Sequence, residues 1–237
     1  MRPKDRLIVA LDVDSEKRAV NLVDELKGCV KLFKVGSELF SSCGPNIINL
    51  IKKKGCEVFL DLKFHDIPNT VAKSSASVTR LGVFMFNIHS LGGPEMMRAA
   101  ALAAKESSEN LKIERPKVLA VTILTSMDEK SLRMTGVDDN MKEEALRLAR
   151  LARDSSLDGV VASTNEARLI RENLGGDFLI VTPGIRPRGS ASGDQKRSST
   201  PKEAIEAGSD YIVVGRPIIE AEDPAKAASV ILEEMRR

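Results

Sequence analysis

The sequence predicts an α/β protein with a single domain, residues 1–237, folded as a (β/α)₈ TIM barrel. Three observations predict it. The length of 237 residues suits one complete barrel. Short β-branched apolar runs alternate eight times with segments of helical periodicity. Polar residues stand at the carboxyl ends of these runs, as a barrel active site requires. An open doubly wound sheet would alternate in the same way, but the polar strand ends favour the closed barrel.

Eight short apolar runs predict the strands, and eight segments with apolar residues at helical spacing predict the crossover helices between them. The predicted strands are Leu7–Leu11, Leu32–Val35, Val58–Leu60, Val83–Ile88, Val118–Thr122, Gly159–Ala162, Leu179–Thr182 and Tyr211–Val214. The predicted helices are Ser15–Leu26, Asn46–Lys54, Asn69–Leu81, Pro94–Ala104, Glu143–Asp154, Glu166–Leu174, Pro201–Ala207 and Pro224–Met235. Two connections, Leu124–Lys142 and Pro183–Thr200, are longer than the scaffold needs, which makes them candidate lids.

The composition argues against several classes of partner. The 36 basic and 34 acidic residues nearly cancel, and no basic stripe with interleaved aromatic residues is present, so we expect no nucleic-acid partner. The polar N-terminus leads directly into a short apolar strand, too short for a signal sequence or a membrane span. We therefore expect a cytoplasmic protein without a membrane partner. Cys29, Cys43 and Cys56 fit no C-x-x-C spacing and are expected to be reduced thiols.

The densest polar cluster follows the third predicted strand. Residues two apart in an extended chain share a face, so Asp61 and Lys63 should point together into the barrel mouth. The structural interpretation is an ion pair, with Asp66 as the N-cap of the next helix. Three charges in six residues exceed what packing needs, however. An ammonium between carboxylates stays protonated and can deliver a proton to a carbanion.

A second cluster is rich in glycine and arginine. It comprises the segment 182–187 with Gly184 and Arg186, its continuation 193–195, and Gly215 with Arg216 after the last strand. The loops after strands seven and eight form the usual phosphate site of barrels, where backbone N–H groups and guanidinium groups bind phosphate oxygens. The alternative is that the glycines make turns and the arginines are solvated. Together, the two loops predict a small phosphorylated substrate.

The chain offers little that could hold a metal. It has only two histidines, His65 and His89. His65 could be combined with Asp61 and Asp66, but the spacing matches no strong metal-binding template. We therefore expect no metal and no cofactor, and a structural hydrogen-bonding role for both histidines.

Residues 59–70, FLDLKFHDIPNT, resemble the signature of the orotidine 5'-monophosphate decarboxylase family in its bacterial form. The resemblance continues in order along nearly the whole chain. Its other segments are VALD at 9–12, FKVG at 33–36, VTILTSM at 121–127, VTPGIRP at 181–187, GDQ at 193–195 and VGRP at 214–217. The shorter Asp-x-Lys-x-x-Asp pattern is less specific, because hexulose-phosphate synthase, a related barrel aldolase, shares it.

The resemblance implies a carboxy-lyase of de novo pyrimidine biosynthesis that converts orotidine 5'-monophosphate to uridine 5'-monophosphate and CO₂ without metal or cofactor. It implies that Lys63 protonates C6 and that Asp61 faces the departing carboxylate. Lys34 and Asp66 would complete their charge network. Asp66 would come from the other subunit of a homodimer whose active site is shared across the interface.

The resemblance also implies a set of substrate contacts. Asp12 and Lys34 would hold ribose hydroxyls, and Thr70 would join Asp66 across the interface. Thr125 and Ser126 would meet the pyrimidine, and Gln195 would bridge base and phosphate. The residues near or at the phosphate would be Pro183, Arg186, Gly215 and Arg216.

Two alternatives stay open from the residues alone. The first is the aldolase, which would use a divalent metal and a phosphorylated sugar. The second is a non-catalytic barrel that senses a phosphorylated nucleotide. Asp61, Lys63 and Asp66 argue against a pure sensor, because binding alone does not need this costly group of charges.

Overall fold

Eight parallel strands pair edge to edge into a closed barrel in the computed structural model, which describes residues 2–138, 140–187 and 199–236. Each strand pairs with the next in sequence, and β8 returns to β1, where Leu7 pairs with Ile212 and Val9 with Val214. The strands are β1 Leu7–Ala10, β2 Leu32–Gly36, β3 Glu57–Phe64, β4 Met85–His89, β5 Lys117–Val121, β6 Gly159–Val161, β7 Leu179–Thr182 and β8 Tyr211–Val214. The predicted (β/α)₈ barrel is confirmed.

Helices connect successive strands over the outside of the barrel. They are α1 Glu16–Leu26, α2 Ser37–Cys43, α3 Asn46–Lys53, α4 Pro68–Arg80, α5 Gly93–Leu111, α6 Glu129–Met134, α7 Met141–Asp154, α8 Thr164–Leu174, α9 Pro201–Glu206, α10 Arg216–Ile219 and α11 Pro224–Glu234. Helix α5 continues to Leu111, well beyond its predicted end at Ala104, while α2, α6 and α10 were not predicted. Within the described ranges, no helix combines the length and apolar character needed to cross a membrane.

Alternation along the strands divides the apolar residues into two layers. Ile8 and Ala10 point into the barrel, whereas Leu7 and Val9 pack outward against the helices. The interior layer contains Ile8, Ala10, Leu32, Phe59, Met85, Leu119, Val181, Tyr211 and Val213. Because this layer fills the barrel, the rim above it is left for polar side chains.

Strand β3 departs most from its predicted bounds, and the departure bears on the site. It continues through Phe64 rather than ending at Leu60, so Asp61 and Lys63 lie within the strand. Its pairing with β4 shifts register between Leu60 and Phe64. Lys63 adopts a left-handed backbone conformation with φ of 51° at this irregularity. Few residues other than glycine adopt such a conformation, and it is often found at functional sites.

Candidate active site

A chain of alternating charges crosses the carboxyl ends of β1, β2 and β3. Lys34 Nζ lies 2.8 Å from Asp12 Oδ1 and 3.5 Å from Asp61 Oδ2. Lys63 Nζ lies 2.7 Å from the other carboxylate oxygen, Asp61 Oδ1. Asp61 is thus held between two ammonium groups, and four side chains from three neighbouring strands form one network.

Burial and charge act in opposite directions on this network. Burial alone would lower the pKa of Lys34, but the Asp61 and Asp12 carboxylates outweigh it and raise that pKa. Burial would likewise raise the pKa of Asp61, yet Lys34 and Lys63 outweigh it and lower that pKa. Lys34 is therefore held as a cation and Asp61 as an anion near neutral pH.

Two glycines leave room for the network. A Cβ atom at Gly36 would lie 2.9 Å from Lys34 Nζ, and one at Gly215 would lie 3.2 Å from Asp12 Oδ2. A side chain at Gly36 would therefore press on the ammonium of Lys34. The absence of a side chain at these positions lets the charged groups face the barrel mouth.

The network opens onto a cavity of about 220 Å³ at the carboxyl-end rim. The cavity joins the charged residues of β1 to β3 to residues that follow β5, β7 and β8. Its lining includes Asp12, Lys34, Asp61, Lys63, Thr125, Pro183, Gly184, Arg186, Gly215 and Arg216. A cavity with cations, carboxylates and apolar walls suits a polar ligand with an apolar face.

Arg186 and Arg216 supply positive charge on the side of the cavity formed by β7 and β8. Burial, and then repulsion by Arg216, lowers the pKa of the Arg186 guanidinium. Two backbone hydrogen bonds hold the segment around Arg186 beside Ser199: the Arg186 N–H donates to Ser199 O at 2.9 Å, and the Ser199 N–H donates to Gly184 O at 3.3 Å. Two neighbouring guanidinium groups favour a bound dianion. Gln195 lies outside the described residues.

Ser126, Asp66 and Thr70 are not among the residues that line the cavity. Ser126 is exposed in the turn beside Thr125. Asp66 and Thr70 are exposed at the start of α4, where Ile67, not Asp66, occupies the N-cap position. Asp66 Oδ1 accepts a hydrogen bond from the Ile67 N–H at 2.7 Å. Among the described residues Asp66 has no ion-pair partner, so the helix-cap interpretation does not account for its charge.

Some polar residues at strand ends stabilise the scaffold instead. Ser163 and Glu166 form a capping box at the start of α8. The buried hydroxyls of Thr182 and Ser209 share a hydrogen bond of 2.6 Å. A polar residue at a strand end is therefore not sufficient to predict a place in the site.

Sequence comparison places this site in a known group of enzymes. The sequence profile of the orotidine 5'-phosphate decarboxylase / HUMPS family matches residues 5–231. The chain belongs to this family. It is 52% identical over 233 residues to the orotidine 5'-phosphate decarboxylase of Trichlorobacter lovleyi, covering 98% of this chain and 95% of the relative. It is 54% identical over 232 residues to that of Syntrophotalea carbinolica, with the same coverage of 98% and 95%.

Solved structures of orotidine 5'-phosphate decarboxylases share the fold. The enzyme from Lactobacillus acidophilus superposes with a TM-score of 0.87 at 40% identity, covering 98% of this chain and 100% of that one. The enzyme from Pyrococcus horikoshii superposes with a TM-score of 0.77 at 28% identity, covering 98% and 99%. The family resemblance recognised from the motifs is confirmed.

One residue at the centre of the site was not singled out by the sequence analysis. Asn87, in β4, contacts both Asp61 and Lys63. Its only sequence signal is an amide between the apolar residues Phe86 and Ile88 of the strand MFNIH. Across the described part of the chain, no group of three or more His, Cys, Asp or Glu side chains is placed to hold a metal ion.

Proposed function

We propose that the protein decarboxylates orotidine 5'-monophosphate to uridine 5'-monophosphate in de novo pyrimidine biosynthesis. The observation that carries the proposal is the network of Lys34, Asp61 and Lys63 at one cavity with Arg186 and Arg216. Such a cavity can bind a phosphorylated ligand and present an ammonium group to its reacting carbon. The relatives at 52% and 54% identity carry the name of this activity.

The chemistry requires electrostatic stabilisation of a carbanion. When the bond between C6 and the carboxylate breaks, its electron pair stays on C6 in the plane of the ring, and CO₂ leaves. The π system cannot accept that pair, so a fixed positive charge must stabilise it. The Lys63 ammonium supplies this charge and then transfers a proton to C6.

Asp61 and Lys34 set the field around the reacting carbon. An ionised Asp61 beside the substrate carboxylate repels it, and the repulsion is relieved as CO₂ departs. Lys34 holds the partly buried Asp61 in its ionised form through the contact of 3.5 Å between Lys34 Nζ and Asp61 Oδ2. Lys34 also reaches Asp12, and in this proposal Asp12 and Lys34 bind the ribose hydroxyls.

The remaining contacts follow from the cavity lining and the family motifs. Thr125 lines the cavity and would meet the pyrimidine with the adjacent Ser126. Pro183, Arg186, Gly215 and Arg216 line the part of the cavity assigned to the phosphate, and Gln195 would bridge base and phosphate. Binding of the phosphate, away from C6, would then help to lower the barrier to reaction.

The Asp66 carboxylate has no ion-pair partner within the part of the chain that the structure describes, and this supports a homodimer with shared active sites. Asp66 and Thr70 lie on the exposed start of α4 beside Ile67, whose surface is 66% exposed. Leu91, which is 55% exposed, follows the neighbouring strand β4. An apolar rim beside an unpaired carboxylate suits a two-fold contact in which Asp66 reaches Lys63 of the other subunit.

The proposal is tested by the loss of orotidine 5'-monophosphate absorbance on adding the purified protein in the presence of EDTA. Turnover to uridine 5'-monophosphate that is unchanged by the chelator is the expected result. Turnover lost with EDTA and restored by Mg²⁺ would contradict it and favour the aldolase. Tight binding of the nucleotide without turnover would instead indicate a sensor.

A further inference from the structure

We propose that Asn87 is a positioning residue that fixes the Asp61 carboxylate and the Lys63 backbone together. Asn87 lies in β4, beside β3, and only 1% of its surface is exposed. Its Nδ2 donates to Asp61 Oδ1 at 2.7 Å, and its Oδ1 accepts from the Lys63 N–H at 2.8 Å. A single amide thus bonds to both Asp61 and Lys63.

The bond to Lys63 acts where the strand is irregular. The register between β3 and β4 shifts between Leu60 and Phe64, so the ordinary strand pairing is interrupted beside Lys63. The Lys63 backbone is left-handed with φ of 51°, a conformation that its neighbours must maintain. The side chain of Asn87 gives the Lys63 N–H a buried acceptor at this point and so determines where the lysine side chain starts.

The hydrogen bond from Asn87 to Asp61 involves the same carboxylate oxygen that pairs with Lys63. Asp61 Oδ1 accepts from Asn87 Nδ2 and lies 2.7 Å from Lys63 Nζ. After Lys34 and Lys63, this bond is a further cause of the lowered pKa of Asp61. Asn87 therefore restricts the rotation of the carboxylate and the position of the ammonium at the same time.

The chemistry of the side chain explains why an amide is suited to this position. An amide offers a donor and an acceptor on one rigid group. A leucine of similar size would leave the Lys63 N–H and Asp61 Oδ1 each without one buried partner, and water has little access at 1% exposure. An ionised aspartate would keep the acceptor and lose the donor.

The test compares Asn87→Leu, Asn87→Asp and the wild type, with Asn21→Asp on the exposed side of α1 as the matched control. The inference rests on the proposed function, so kcat and KM for orotidine 5'-monophosphate are measured first. We expect Asn87→Leu to lower kcat about 10- to 100-fold with KM changed less than about threefold, because the phosphate and base contacts lie elsewhere. We expect the control to match the wild type.

Asn87→Asp gives a signature that a purely structural residue would not give. Two carboxylates at hydrogen-bonding distance share one proton, and the protonated aspartate has the same donor and acceptor pattern as asparagine. As pH rises, this proton is lost and a second anion faces Asp61, close to Lys63 and Lys34. The kcat of Asn87→Asp relative to wild type should therefore fall as pH rises, whereas any loss in Asn87→Leu should not depend on pH in this way.

A second readout needs no substrate. Titration of the Asp61 carboxyl by ¹³C NMR, assigned with Asp61→Asn, should give a higher pKa in Asn87→Leu than in the wild type. If the wild type is inactive, the proposed function fails, and the NMR titration alone decides the role of Asn87. A ratio for Asn87→Asp that is flat with pH, or an unchanged Asp61 pKa, overturns the inference. If Asn87→Leu does not fold, the pH dependence of Asn87→Asp decides it.

Discussion

Lys63 combines three features at the scale of a single residue: a left-handed backbone, an ion pair with Asp61 and a position on the cavity wall. We expect Lys63→Ala to lower decarboxylation by at least about 1000-fold, because both the stabilising charge and the proton donor are removed. Binding of uridine 5'-monophosphate should stay measurable by calorimetry, because other loops hold base and phosphate. Lys17→Ala, on the exposed face of α1, is the control. Loss of binding in a folded Lys63→Ala protein would make Lys63 an anchor instead.

A substitution at Arg216 tests the part of the cavity assigned to the phosphate. If its guanidinium binds the phosphate, Arg216→Ala should weaken kcat/KM for orotidine 5'-monophosphate about 10- to 100-fold and hardly affect the dephosphorylated nucleoside. Steady-state kinetics with both substrates measure the difference, with Arg18→Ala on α1 as the control. Equal losses for the two substrates would place Arg216 away from the phosphate.

His89 gives a prediction about stability and pH. Burial, and then the facing charges of His65 and Lys63, lowers the pKa of His89 to about 4. The unfolded chain, in which this pKa is about 6.5, then binds more protons between the two values. This histidine should therefore reduce stability as pH falls from about 6.5 towards 4, by on the order of 1 kcal/mol because its partial exposure screens the effect, and have no such effect above pH 6.5.

His89→Phe retains a ring that can stack on His65, whose ring centroid lies 5.3 Å from that of His89. Urea denaturation between pH 7 and pH 4 should show a shallower decline of the free energy of unfolding in the variant than in the wild type. The carboxylates titrate in both proteins, so only the difference between the two slopes is informative. Parallel slopes would show that His89 is not the group responsible.

At the scale of a secondary-structure element, the cap at the start of α7 can be tested for its contribution to stability. Asn140 begins α7, where its Oδ1 accepts from the N–H groups of Lys142 at 3.1 Å and Glu143 at 3.0 Å. Asn140→Ala removes this cap and should lower stability by about 1 kcal/mol, or Tm by about 2–4 °C. Asn140→Asp keeps an acceptor and should stay close to the wild type in thermal denaturation. A loss in Asn140→Asp equal to that in Asn140→Ala would show that the cap is not the cause.

The elements that could be predicted are those with a strong periodic signal. All eight strands were predicted, because β-branched runs between polar ends are distinctive. Helices α2, α6 and α10 span four to seven residues and show little helical periodicity, whereas α9, with six residues, was predicted. Helix α5 was predicted too short, because its last turns, from Lys105 to Leu111, are mostly polar.

The parts of the site that lie in sequence motifs could be predicted, whereas the parts that depend on backbone geometry could not. The meeting of Asp61 with Lys63 was expected from an extended strand. The left-handed turn at Lys63 was not, because nothing in the residue type signals it. The contacts of Asn87 lie beside the register shift between β3 and β4, which involves two strands and is not signalled by either segment alone.

At the scale of the whole molecule, the shared-site dimer can be tested by mixing variants. If each site takes Lys63 from one subunit and Asp66 from the other, Lys63→Ala and Asp66→Ala homodimers are each nearly inactive. A mixed dimer then has one doubly altered site and one native site. Random exchange of equal amounts makes half the dimers mixed, so activity should recover to about a quarter of the wild type per site.

Subunit exchange is checked by mass spectrometry before activity is measured, and mild denaturant speeds it if the interface dissociates slowly. Each parent mixed with wild type serves as the control for exchange itself. Verified heterodimers with no more activity than the sum of the parents would place Asp66 in the site of its own chain.

The aromatic composition of the chain gives the barrel its own spectroscopic reporters. The protein has two histidines, one tyrosine and no tryptophan. The imidazole of His65, directly after β3, stacks on that of His89, at the end of β4, and both lie next to Lys63. Every imidazole signal in an NMR spectrum therefore comes from the edge of the active site. Tyr211 is 6% exposed inside the barrel and meets Phe84 edge-on, so tyrosine fluorescence comes from the barrel interior alone. Ligand binding and barrel unfolding can therefore be followed separately in the unlabelled wild-type protein.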